Sequence, residues 1–130
     1  MRRAGSNEEG EHLLQVYSSF WFVAIHTLFF VDPDLGNAQP NFAPPEPFRT
    51  EDQEVNIIPR RTYTRDEVLG WVARVRAKAR VTLAALTEEE AERPAGRGNR
   101  PFAELLMRCL VHTREHTAQL SMFLGQHRAP

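Results

Sequence analysis

The chain has 130 residues, 42% of them hydrophobic and 25% charged, which is apolar material for one ordinary domain and no more. A formal charge of −1 at pH 7 supplies no global field for nucleic acid or an acidic membrane, so neither is expected as a partner. The single cysteine, Cys109, rules out an internal disulfide and suits a reducing compartment.

At the N-terminus, Arg2 and Arg3 are followed by polar and acidic residues rather than an apolar run, so no signal peptide is read and a cytoplasmic location is expected. Ser6 and Glu9 have capping-box spacing. They predict a first helix from about Glu8 to Val31, stopped by Pro33 because the residue before a proline is pushed out of helical geometry. Phe20 to Val31 is apolar nearly all the way round, interrupted by His26 and Thr27. It is shorter than the ~20 residues a membrane span needs, yet it wants burial on every side. A second copy of the chain, or a helix upstream of Met1, is expected to cover it.

From Asp32 to Tyr63 the chain is irregular and rich in proline. Connections of this length are uncommon in compact domains. Phe42, Phe48, Ile57 and Ile58 give it apolar weight, so an ordered lid is expected, and no β signal in the chain is longer than Val55 to Ile58. Thr64 and Glu67 form the next capping box. Val68, Leu69, Val72, Val75, Ala79, Leu83 and Leu86 then follow at helical spacing. Arg74, Arg76, Lys78 and Arg80 alternate around that helix and read as a solvated face. Thr87 and Glu90 predict a short acidic turn, and Arg93 to Arg100, with Gly96 and Gly98, reads as a mobile linker. The last helix opens at Pro101, suited to a first turn because it lacks an N–H, and Gly125 is placed to end it.

The chemistry concentrates on this last helix. His112 and His116 stand at i and i+4, on one helix face with Cβ atoms about 5–6 Å apart, and two imidazoles so placed can converge on one ion. Gln119 follows one turn on, suited to a second hydrogen bond to a ligand or to substrate. His26, in the most apolar helix, must find a partner because an unsatisfied buried imidazole is costly. It is the candidate third ligand. The run His112 to His116 also fits the H-x-x-E-H pattern of inverted zinc peptidases, with Glu115 as base. No Asp or Glu follows His116 to complete that site. Cys109 reads as a small core residue rather than a thiolate ligand, and Asp32 and Asp34 as turn residues at the mouth of the site.

Three separated segments carry a family resemblance. Phe20-Trp21-Phe22-Val23-Ala24-Ile25-His26 through Asp32 resembles the first ligand helix of the DinB-like (DinB/YfiT) metal-binding superfamily. Phe42 to Phe48 with Arg61 to Thr64 is similar to the linker of one subgroup, and His112-x-x-x-His116-x-x-Gln119-Leu120 resembles the family's last helix. The resemblance implies an all-α, up-down helical bundle in a single domain spanning residues 1–130. Its helices are expected at about 8–31, 65–86 and 101–124, with the proline-rich linker at 32–63. Residues Met1 to Glu11 are too short and polar to supply the family's first helix, so three main helices of the four-helix bundle are expected.

The resemblance further implies a homodimer and a divalent ion, Zn, Ni or Fe, on His26, His112 and His116, with Gln119 beside it. Characterised relatives include bacillithiol S-transferases and a mycothiol-dependent maleylpyruvate isomerase. The expected function is therefore divalent-metal binding with thiol-dependent, S-transferase-like chemistry on a small molecule, using a low-molecular-weight thiol as cosubstrate. The alternative is a non-catalytic dimeric bundle whose histidines are structural or vestigial. Which residues would be catalytic is left open, as is whether the protein is an enzyme.

Overall fold

The computed structural model describes residues 19–36, 41–53, 59 and 61–126, together with Glu8, Gly10, Glu11 and Gln15. Helix α1 (Phe20–Leu35) is followed by a 3-10 turn (Thr50–Gln53), α2 (Arg65–Ala84), the short α3 (Glu88–Glu92), a two-residue hairpin of β1 (Pro94–Ala95) and β2 (Arg100–Pro101), and α4 (Phe102–Gln126). The architecture is all-α. Helix α1 lies between the other two long helices and packs on both, while α2 and α4 barely meet. The Ser6–Glu9 capping box and the Val55–Ile58 segment, with Ile57 and Ile58, lie outside the described residues. No described helix is long and apolar enough to cross a membrane.

The helix predicted over about 8–31 is interrupted at Ser19 and stops later than its sequence suggests: Glu8, Gly10, Glu11 and Gln15 are helical, and a new helix begins at Phe20. Ser19 has extended dihedrals (φ −76°, ψ 148°) and caps α1, its carbonyl accepting from Val23 N at 3.1 Å. The helix does not end at Val31. It runs through Pro33 to Leu35, because Asp32 is held in helical geometry from outside. The Asp32 carboxylate, 3% exposed as a residue, accepts from Trp71 Nε1 at 2.8 Å and from Lys78 Nζ at 2.6 Å. Lys78 also donates to the Asp32 carbonyl at 2.7 Å. That carbonyl is released because Gly36 N turns back to Pro33 O at 3.0 Å. A buried carboxylate left without partners is costly, and these three contacts offset part of the ~3 kcal/mol a proline costs inside a helix.

Burial of α1 is more complete than its pattern led one to expect. Its inward faces pack on Trp71 and Val75 of α2 and under Phe48 and Tyr63 of the proline-rich segment, all buried. The Phe48 ring meets both Tyr63 and Trp71 at 4.5 Å between centroids. Asp52 ties this cover down, accepting from Tyr63 Oη and from Arg49 N. Within α1 only Phe30 is exposed. The uncovered apolar surface lies elsewhere, on the outer sides of α2 (Leu69, Val81, Leu83) and α4 (Met107, Leu110, Val111, Met122).

Local signals set the remaining boundaries. The Thr64–Glu67 capping box is present in both directions, at 3.2 and 2.9 Å, and α2 ends at Ala84, two residues earlier than the apolar stripe suggests. Thr87 caps α3, accepting from Glu90 N at 3.1 Å. The linker expected to be mobile forms the β1–β2 hairpin, with Pro94 opposite Pro101 and Ala95 opposite Arg100. Gly96 (φ 68°) and Asn99 (φ 47°) take the left-handed dihedrals its turn requires. Pro101 thus belongs to β2, and α4 starts at Phe102. Gly125 does not stop α4, which continues to Gln126.

Candidate metal centre

Helix α1 contributes His26 and α4 contributes His112 and His116. One nitrogen from each of the three rings lies within 4.8 Å of the others. The chain thus brings two helices, 86 positions apart between His26 and His112, onto one point. His112 Nε2 and His116 Nε2 are 3.1 Å apart. At that distance the two nitrogens either share one ring's N–H in a hydrogen bond or both turn their lone pairs to a metal ion. Around a tetrahedral zinc with bonds of about 2.0–2.1 Å, ligand nitrogens sit about 3.3 Å apart. The donor set and its spacing therefore fit a divalent ion.

Hydrogen bonding fixes part of the protonation pattern. Gln119 Oε1 lies 3.0 Å from His116 Nδ1. An amide oxygen can only accept, so Nδ1 carries the proton and, in the neutral ring, Nε2 presents its lone pair to the site. Burial pushes the His26 pKa below the usual imidazole value, helped by the charges of His116 and His112. His112 is lowered too, by burial first and His116 second, against an opposing pull from Glu115. Both rings are consequently free bases at neutral pH, as metal ligation demands.

Aromatic rings wall the cluster. Phe22 stacks on His26 at 6.3 Å and Phe30 meets it edge-on at 5.0 Å; Phe30 also reaches His112 at 4.7 Å. These two phenylalanines were not singled out from the sequence, though they stand at i−4 and i+4 from His26 and share its helix face. The other candidates fall outside. Cys109 is buried, with burial raising its thiol pKa, and does not join the cluster. Glu115 is exposed and borders the outer side of α4 with Met107 and Val111. Asp32 is committed to α2, whereas Asp34 lines a groove of ≈ 950 Å³ that also takes in His112, Phe30 and Phe42.

The model of the DinB superfamily matches residues 7–120. With an all-α fold and the three histidines in place, the chain belongs to the DinB superfamily. Comparison with curated proteins and with solved structures gives no match.

Proposed function

We propose that this DinB protein binds a divalent ion, Zn²⁺, Ni²⁺ or Fe²⁺, through His26, His112 and His116, and acts as a thiol-dependent transferase on a small electrophile. The observation that carries the reading is the convergence of three imidazoles, two of them with Nε2 atoms 3.1 Å apart. Three neutral ligands leave the ion's charge uncompensated and a coordination position open. When bound, the ion supplies the Lewis acidity that draws a low-molecular-weight thiol toward its thiolate. Gln119 holds the proton on His116 Nδ1, and the Phe22 and Phe30 rings pack against His26.

Metal analysis of protein expressed in metal-replete medium tests the site. Stoichiometric metal is expected in the wild type and its loss in His26→Ala and His112→Ala. A wild type without metal refutes the reading, and metal retained in both variants refutes the ligand set. Chemistry is tested by thiol addition to a chromogenic aryl halide, which the zinc-loaded protein is expected to accelerate over its His112→Ala variant.

The second reading is a non-catalytic homodimer. It is favoured by the exposed Met107, Leu110, Val111 and Met122 on the outer side of α4. Equal thiol-addition rates with and without protein would support it over the transferase. Both readings share the second copy of the chain, and we propose α4 as the face where it docks.

A further inference from the structure

The ≈ 950 Å³ groove beside the histidine cluster has two kinds of wall. Phe29, Phe30 and Phe42 give it an apolar floor, and Arg97 and Arg108 bring two guanidinium groups to it. Arg108 stands at i−4 from His112 and so lies one turn along the same face of α4, roughly 6 Å away at the helix surface. Arg97 comes from the β1–β2 turn. Neither arginine forms a salt bridge with a described residue. Asp34, the one carboxylate among the described lining residues, feels the field of Arg108, but burial disfavours its charged form. Among the described lining residues, two guanidinium groups therefore stand against one carboxylate, over an aromatic floor.

From this pairing we propose that the groove binds a small organic acid, its carboxylate on Arg108 and Arg97 and its apolar body on Phe29, Phe30 and Phe42, with the far end directed to His112. This deepens the transferase reading by naming a substrate class, and rests on it only for what happens after binding. Arginine's planar fork suits a carboxylate, and such charge-assisted bonds are about twice as strong as neutral ones. A neutral ligand of the same shape would keep the apolar contacts and lose these.

The test is calorimetric titration of chelator-treated, metal-free full-length protein with 3-phenylpropionate and its isosteric amide, 3-phenylpropanamide. Removing metal prevents the carboxylate from scoring by direct coordination. The acid is expected to bind about tenfold more tightly than the amide, a difference of ~1.4 kcal/mol. Arg108→Gln and Arg97→Gln, both at exposed positions, should each reduce that preference, and the double variant should abolish it. Equal binding of acid and amide, no binding of the acid, or a preference that survives in the double variant overturns the proposal. Metal content is measured separately. Acid selectivity in a protein that never takes up metal would therefore sink the metal reading while leaving the groove assignment standing, and the reverse result would do the opposite.

Discussion

At the scale of single residues, the proposed metal site leans on a side chain beyond its three histidines. Gln119 Oε1 accepts the Nδ1 proton of His116, which fixes both the tautomer and the ring's orientation. Outer partners of this kind typically contribute 10–100-fold to metal affinity. Gln119→Leu is therefore expected to weaken zinc binding by about that factor with the fold intact, whereas Gln119→Glu, which still accepts, should retain most of it. Competition with a chromophoric chelator measures both. Unchanged affinity in the leucine variant would mean that packing alone orients His116. The spacing His112-x-x-x-His116-x-x-Gln119 made these three residues visible in the sequence because one helix turn relates them. His26 was visible only as an anomaly, a polar ring in an apolar helix, and no local pattern says which distant helix supplies its partners.

At the scale of elements the same division holds. The start of α2 was legible because Thr64 and Glu67 complete a local motif, and the structure extends it by one partner. Arg61 grips Glu67 with two hydrogen bonds, at 2.9 and 2.6 Å. Chiefly through Arg61, and then through the Thr64 backbone, the Glu67 pKa is lowered from 4.5 to about 2. A depressed carboxylate pKa means the unfolded chain binds the proton more readily, so the stability Glu67 contributes is present above pH 4.5 and lost as pH falls toward about 2. Glu67→Gln is expected to lower the urea midpoint at about pH 6 and to differ less from wild type at about pH 3. A gap independent of pH would assign the effect to the cap geometry and not to charge. The end of α1 was misjudged for the opposite reason. Pro33 is a strong local stop signal, but Asp32 is overruled by Trp71 and Lys78, 39 and 46 positions away. The clue was periodic: Ile25, Leu28, Asp32 and Leu35 lie on one buried stripe, and a carboxylate there requires a buried partner. Its identity is set only by how the helices pack.

At the scale of the whole molecule, the question is where a second copy would sit. The sequence pointed to α1, because that helix is apolar all round, yet α1 is largely covered by α2, α4 and the proline-rich segment. The exposed apolar side chains instead form a stripe on α4, where Met107, Val111, Ala118 and Met122 recur at helical spacing with Leu110 beside them, interrupted by the charges of Arg114 and Glu115. Met107, Leu110 and Met122 are each 60% exposed or more. Monomeric proteins rarely present contiguous apolar patches of more than a few hundred Å², and a chain of formal charge −1 repels its own copy only weakly. Because a two-fold interface places the same residue on both sides, a charge introduced near its axis meets its own image, which is strongly unfavourable when desolvated. Light scattering is therefore expected to give twice the chain mass for the wild type and the single-chain mass for Met107→Glu/Val111→Glu. Circular dichroism should show the variant still helical, since both positions face outward. A wild type with the mass of one chain would remove the dimer. A dimeric double variant would move the interface off α4, leaving the side of α2 that exposes Leu69 and Leu83 as the next face to charge.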